Sequence, residues 1–509
     1  MTDPTGYSPS PGVQRSLILA GGGMRVSYQA GVVRALLEAG IRFSHGDGTS
    51  GGTMNLAMML SGLSPDDMCD RWRSLKVSDF VSWMPVEQYL KGPDIMAMGD
   101  ADGIVNKVFP HLGISVGKIR GSQGMQGTFN VCNFSRKTNE VVSHRDVTLD
   151  YLVAGISLPI FMPPVKIGDA FYTDSVWIKD ANVIGAVKKG AEEIWLVWCI
   201  GNTQEYKSGV FNQYVHMIEM SANGVLFEEF DRITEVNGRI ARGDSPYGQK
   251  QPVRLHVIKP EFPLPLDPDL YLGKIDNATL IDRGYADAQR YLRTARPEGI
   301  PFTPEATAMS EQGLGFTFRE MMIGPFAMGE TDPRAVERSG NATGTKLAMH
   351  ATITINDLRR FIDDPAHLGS ITGHLDVPAF GNNIPTTSGV FNLFSPAEDP
   401  KMKHMVYEFG FDRNGDHYYF AGRKEVHNDP GFDLWSDTTT LYSTLHKGTD
   451  KSGPVVGAGV LKLSVTELIK MIPTMQPLNA KSMGEKANAV MEFGKFFMGA
   501  LWEQYGPKL

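Results

Sequence analysis

Cysteine is nearly absent: Cys69, Cys132 and Cys199 are the only three in 509 residues. They are widely spaced and form no C-x-x-C pair, which excludes a disulfide-stapled secreted module and points to a reducing compartment. Clustered basic charge is missing too. The net charge is −8 and no dense Lys/Arg run occurs, so nucleic acid is excluded as the main partner. The same balance excludes purely electrostatic attraction to anionic membranes, so any lipid contact must be mostly apolar. Long apolar runs are lacking, since stretches such as Ile194-Trp195-Leu196-Val197-Trp198-Cys199-Ile200 are far too short to span a bilayer. Met1–Gln14 is rich in Pro, Ser and Gly and lacks the basic-then-apolar order of a secretory signal. Neither H-E-x-x-H nor a paired Cys/His spacing is present, so no metal is expected. The localisation these absences leave is cytoplasmic, with room for peripheral contact with a membrane.

What is present is ordinary globular material. Hydrophobic residues make up 42% and charged residues 21%, enough for a sizeable core. At 509 residues the chain should hold two to four domains, or one large and one smaller.

Two glycine-rich turns stand out. The first follows the apolar run Ser16-Leu17-Ile18-Leu19-Ala20, a candidate buried strand, and reads Gly21-Gly22-Gly23-Met24-Arg25. A helix follows it, with Tyr28, Val32 and Leu36 on one face and Gly40 as its stop. Dinucleotide binding fails on spacing, because G-x-G-x-x-G would need glycine where Val26 stands. Two readings stay open: a tight β–α turn, or bare backbone N–H groups arranged as an oxyanion hole. The second turn is Asp47-Gly48-Thr49-Ser50-Gly51-Gly52, between the apolar-rich Ile41-Arg42-Phe43 and the helical Thr53–Leu60. Gly48, Ser50 and Gly52 fit the G-x-S-x-G nucleophile elbow, whose strained serine is lifted clear of a sheet at a helix N-terminus. A Ser-His-Asp triad has no good third member. His45 belongs to the strand leading in, pointed away from Ser50 by the pleat, and His144 lies in a hairpin spanning Thr128 to Thr148. Asp47 and Asp180 read as loop carboxylates without assigned chemistry.

Taken together, Gly21–Arg25, Tyr28-Gln29-Ala30-Gly31-Val32 and Gly48–Gly52 resemble the opening of the patatin-like phospholipases, which carry a GGGxR loop and a GxSxG elbow in this order. The resemblance continues through Ser157–Val165 and Phe171-Tyr172-Thr173-Asp174, and reaches about residue 295. It implies a three-layer α/β/α hydrolase domain and a Ser–Asp dyad of Ser50 and Asp174. Gly21, Gly22 and Gly23 would form the oxyanion hole, with Arg25 supporting the loop. In the family the aspartate opens a D-G-G or D-G-A motif; here Ser175 and Val176 replace the glycines. The implied activity is serine lipid acyl hydrolysis of the phospholipase A or lysophospholipase type, on a phospholipid or other acyl-ester lipid at a membrane or micelle surface, without cofactor. Two other classes share these motifs. One is a lipid-binding sensor whose dyad has decayed, suggested by Ser175-Val176; the other is an acyltransferase with the same dyad.

The stretch Lys76–Gln126, with Phe80, Trp83, Met84, Met96, Met98 and Met125, reads first as core beneath the sheet and second as a lid or acyl-chain wall. Met217, Met220, Val225 and Phe230 on a helix from Tyr214 to Val236 are further candidates for the same wall. Arg296–Pro304 holds three prolines and reads as a linker. Beyond it, alternating Met405, Tyr407, Phe409 and Phe411, an Asn414-Gly415 turn and further short strands predict a mainly antiparallel sandwich or barrel. It closes on helices Val465–Met471 and Glu485–Tyr505, the latter with a stripe of Val490, Phe493, Phe497 and Leu501. This half, through Phe318–Met321, Gly431–Tyr442 and Phe493–Phe497, resembles a module attached to bacterial cholesterol-oxidase-like flavoproteins and lipases, which implies a lipid-handling or membrane-docking role. No flavin-binding glycine motif accompanies it. The expected organisation is a flexible 1–13, a hydrolase domain 14–295, a linker 296–312 and a β-rich accessory domain 313–509.

Overall fold

The apolar run at Ser16 forms strand β1 (Arg15–Leu19), buried along its whole length. Burial on both faces is what an apolar run without alternation requires. In the computed structural model, residues 7–80, 96–201, 206, 208–264, 270, 272–309, 313–339, 345–399, 401–427 and 434–505 are described. Trp83, Met84 and Gly431-Phe432-Asp433 lie outside them, as does the side chain of Leu501. The chain divides into two compact units, Met1–Met309 and Ser310–Leu509.

In the first unit β1 sits inside an eight-stranded mixed sheet. Its parallel neighbours are β2 (His45–Gly48) and β7 (Glu193–Val197), and β8 (Arg254–Ile258) continues the parallel run beyond β7. On the other side β2 pairs with β3 (Gln126–Asn133), which forms a hairpin with β4 (Thr138–Ser143). The antiparallel pair β5 (Val165–Ile167) and β6 (Ala170–Asp174) completes the sheet. Successive residues of a strand face opposite sides, and two cores follow from that. Leu17, Leu19, Trp195 and Val197 pack with α1 (Ser27–Glu38), α2 (Gly52–Leu60), α3 (Pro65–Ser74) and the helix Asn277–Thr294. Ile18, Ile194, Leu196 and Val257 pack with the helices Val183–Lys188 and Val210–Ala241. The result is three layers, helices on both faces of a mixed sheet.

One strand does two jobs. Strand β3 pairs its first half with β2 (Gly48 opposite Phe129) and its second half with β6 (Asp174 opposite Val131). Two chain segments far apart in sequence therefore end two residues apart along a single template, roughly 7 Å.

Arg296–Met309, read from sequence as part of a linker, is held against the first unit. The Ile300 N–H donates to the Leu255 carbonyl at 2.8 Å, and Phe302 meets Phe230 edge-on at 5.5 Å.

The second unit is a closed antiparallel barrel of eight strands, with β12 (Gly381–Pro385) and β18 (Gln476–Leu478) added at its margins. The ring runs β9 (Gly315–Met328), β10 (Lys346–Ile355), β11 (Leu368–Val377), β13 (Gly389–Pro396), β14 (Met402–Arg413), β15 (Asp416–His427), β16 (Thr440–Lys447) and β17 (Val455–Lys462), and returns to β9. Asn414-Gly415 makes the β14–β15 turn, both residues at positive φ (55° and 82°), as a two-residue hairpin demands. Met405, Tyr407, Phe409 and Phe411 are buried, so the alternation marks the inward face. Strand β9 is the closing strand that sequence reasoning passed over. Its Gly324-Pro325 resembles a turn, yet a Cβ at Gly324 would lie 2.0 Å from the Val460 carbonyl, so the glycine marks close approach of β17. The helix Met483–Tyr505 docks on the barrel, with Phe493 stacked on Phe316 at 4.4 Å and Phe497 against Phe394 at 5.6 Å. Val490, on the same stripe, is 47% exposed and falls outside that contact.

Candidate active site

The elbow is built by crowding. The chain leaves β2 at Gly48, the Thr49 N–H donates to the Leu19 carbonyl at 3.1 Å, and α2 begins at Gly52. A Cβ at Gly52 would sit 2.1 Å from the Leu19 carbonyl, so helix and strand meet only because that position is glycine. Ser50 takes φ of 51°, left-handed backbone that a serine adopts only when its surroundings impose it. Beneath the turn, buried Asp47 accepts from the Thr128 hydroxyl and from the amides of Asn130 and Asn182 (3.2 Å for the last). Burial still lifts the Asp47 carboxyl to about 7. Asp47 thus has a structural place, tying the elbow to β3 and to the segment after Asp174.

Asp174 ends β6 and is 1% exposed. Its N–H donates to the Ser157 carbonyl at 3.0 Å, and its Oδ1 accepts from the Val176 N–H at 2.9 Å. Ser175, in place of a glycine, donates its hydroxyl to Asn139. Burial pushes the Asp174 carboxyl up to about 7, and the Ser50 hydroxyl is the strongest opposing influence. Ser50 and Asp174 are therefore brought together. Oδ2 of Asp174 nonetheless makes no hydrogen bond of good geometry, so the serine stands beside the carboxylate with the bond unclosed.

The glycine loop borders the same spot. An ideal Cβ at Gly21 would lie 2.9 Å from the Ser50 Cβ and 2.3 Å from Asp180 Oδ1, so no side chain fits there. Arg25 donates from Nε to the Gly22 carbonyl at 2.9 Å, turning that carbonyl away and bracing the loop. Gly23 has φ of 59°. The N–H of Gly21 is committed to Asp180 Oδ1 at 3.0 Å. Among the described residues no acceptor takes the N–H of Gly22 or Gly23. The amides of Gly22 and Gly23 are thus without an acceptor among the described residues, while that of Gly21 is taken.

Residues 17–186 match the patatin-like phospholipase family. The matched segment contains the glycine loop, Ser50, Asp174 and Asp180, and does not extend into the barrel. Among solved structures, VipD from Legionella pneumophila is similar at 12% identity and a TM-score of 0.28, over 56% of this chain and 67% of VipD. No curated protein sequence matches.

Of the histidines weighed as a third member, His45 and His144 are each bonded to residues other than Ser50. His45 is buried in the sheet, bonded to Ser16 Oγ at 3.2 Å and Thr128 Oγ1 at 2.9 Å, and burial lowers it to about 4. His144 is bonded to the Gly127 N–H at 3.1 Å. Among the described residues no group of three or more His, Cys, Asp or Glu is placed to hold a metal ion. Of the suspected wall residues, Phe80 stacks on Trp72 and Met125 joins the core, whereas Met96, Met98, Met217 and Met220 are exposed. Phe230 is core. Sequence reasoning missed two features: Asp180, and an aromatic chain in which Trp177 meets Tyr214 and Tyr214 meets Phe161, each at 5.4 Å. Proximity to Asp174 along the chain was the one available signal for Trp177 and Asp180.

Proposed function

We propose that this protein is a serine lipid acyl hydrolase of the phospholipase A or lysophospholipase type, working through a Ser50–Asp174 dyad. The observation that carries the reading is a strained, buried Ser50 whose hydroxyl bears on an otherwise half-satisfied carboxylate. Asp174 takes the Ser50 proton as Oγ bonds to the ester carbonyl carbon, and the carbonyl oxygen becomes an alkoxide. Gly22 and Gly23 N–H groups stabilise that alkoxide; one such donor is typically worth ~3 kcal/mol. Collapse breaks the ester C–O bond, and the proton on Asp174 passes to the leaving alcohol. Water then repeats the sequence on the acyl-enzyme and releases the fatty acid. An unclosed serine–carboxylate bond is usual without substrate and tightens when substrate is bound.

A lipid surface is favoured by the rim beside the dyad. Met98 and Gly99 N–H groups donate to the carbonyls of Ile160 and Phe161 at 2.8 and 3.0 Å, joining two exposed apolar segments. Phe161 leads through Tyr214 to Trp177, three residues past Asp174. Among the described residues no helix is long and apolar enough to cross a membrane, so the rim suits contact with the surface of a lipid layer.

The test is product analysis by mass spectrometry on a mixed lipid extract, beside hydrolysis of a soluble p-nitrophenyl ester. Wild type should release fatty acid, and Ser50→Ala should lose at least about 10³-fold in kcat. No release and no fluorophosphonate label on Ser50 would favour the lipid-binding sensor. Transfer to an added alcohol in preference to water would mark an acyltransferase.

A further inference from the structure

Asp180 is a buried acid that the dyad mechanism leaves unused. It is 1% exposed, and it follows Asp174 on the same loop. Its Oδ1 receives the Gly21 N–H at 3.0 Å, while its Oδ2 has no partner. The space around it is tight, because Gly21 lies between Asp180 and Ser50 with no room for a Cβ. The glycine loop is thus pinned from two sides, its Gly21 N–H by Asp180 and its Gly22 carbonyl by Arg25. The amides of Gly22 and Gly23 are left open between those pins.

We propose that Asp180 is a positioning residue that acts as a neutral carboxylic acid, holding the glycine loop in its open-amide shape and tying it to the loop that carries Asp174. The inference rests on the hydrolase reading above. A neutral acid suits the post for a physical reason. Its carbonyl oxygen can accept the Gly21 N–H, whereas an ionised one would set a negative charge beside the forming oxyanion and oppose it. The groups facing Asp180 agree. Burial raises its carboxyl to about 8, the Asp174 charge adds to the rise, and the Gly21 N–H and Arg25 oppose it. Cys199 also faces it, with its thiol pushed up to about 12 by burial. Burial raises both carboxyls, and the charge of an ionised Asp174 favours the protonated form of Asp180.

The experiment compares Asp180→Asn and Asp180→Ala in the full chain, using kcat, KM and pH profiles on p-nitrophenyl butyrate, with Ser50→Ala as the control. Asparagine keeps a neutral acceptor. Asp180→Asn should hold kcat at pH 7 within about threefold of wild type and should lose the alkaline fall that wild type shows near pH 8. Asp180→Ala frees the Gly21 amide and should lower kcat about 10–100-fold at similar KM. Coincident wild-type and Asp180→Asn profiles, an unchanged Asp180→Ala, or equal losses in both variants would overturn the proposal. A second arm needs no turnover. An acid raised in the folded state contributes stability at low pH and loses it as pH climbs through about 8, and asparagine loses none. The melting temperature of Asp180→Asn minus that of wild type should hence rise by several degrees from pH 5 to pH 9. A constant difference refutes a neutral Asp180. Should wild type hydrolyse no ester while this difference rises, the hydrolase reading fails and the neutral acid stands.

Discussion

Each unit buries acid, and two of the buried sites do so in opposite ways. In the barrel, Glu320 is 5% exposed and both its oxygens are taken: Lys424 Nζ donates to Oε1 at 2.7 Å and the Tyr407 hydroxyl to Oε2 at 2.8 Å. Lys424 also lies over the Tyr407 ring at 4.9 Å. In the first unit, Asp174 and Asp180 are each 1% exposed and each leaves Oδ2 without a partner. A buried carboxylate without a partner costs stability, so an arrangement closed on all sides belongs to architecture and an open one to chemistry. The contrast separates two acids left half-open from one locked in place.

The largest expected effect is at the open site. Asp174→Asn should lower kcat by roughly 10⁴-fold on a soluble ester while leaving the melting temperature unchanged or raised near neutral pH. A large loss of stability in that variant would erase the distinction. The reverse result is expected at the closed site. Lys424→Met strips the charge partner from Glu320 and should destabilise the barrel by about 3–5 kcal/mol in denaturant unfolding. Replacing both, as Glu320→Leu with Lys424→Met, should recover most of that loss, and failure to recover would mean the pair does more than neutralise itself. A smaller, graded effect sharpens the comparison. With the Asp174 carboxyl raised to about 7, kcat/KM should fall about tenfold per pH unit below that value, because the protonated acid cannot accept the Ser50 proton. The stability linkage has the opposite sense: the raised carboxyl stabilises the fold at low pH, and that contribution fades as pH rises from the ordinary carboxylate range through about 7. An acid limb near 4 would mean that the Asp174 carboxyl is not raised in the free enzyme.

Much of the local architecture was legible. The elbow, the glycine loop after β1 and the Asn414-Gly415 hairpin are each marked in the chain by glycine, with Ser50, Gly23, Asn414 and Gly415 at positive φ. The alternation of Met405, Tyr407, Phe409 and Phe411 was read as strand and forms the inward face of β14. Where reading failed, a distant partner was deciding. Strand β9 was hidden because Gly324 answers the backbone of β17, a neighbour more than a hundred residues away. Asp180 looked like any turn aspartate, since its role lies with Gly21, 159 residues earlier. The choice between sandwich and barrel also waited on pairing between the first and last strands of the ring.

By itself the sequence determined where the chain must turn tightly and which faces are apolar. Those properties depend on contacts a few residues apart. Only tertiary structure decided that β3 would hold Gly48 and Asp174 two residues apart, and that Asp180 would reach back to Gly21. Strand register and loop docking are settled by surfaces far apart in the chain, and no local preference encodes which of them will meet.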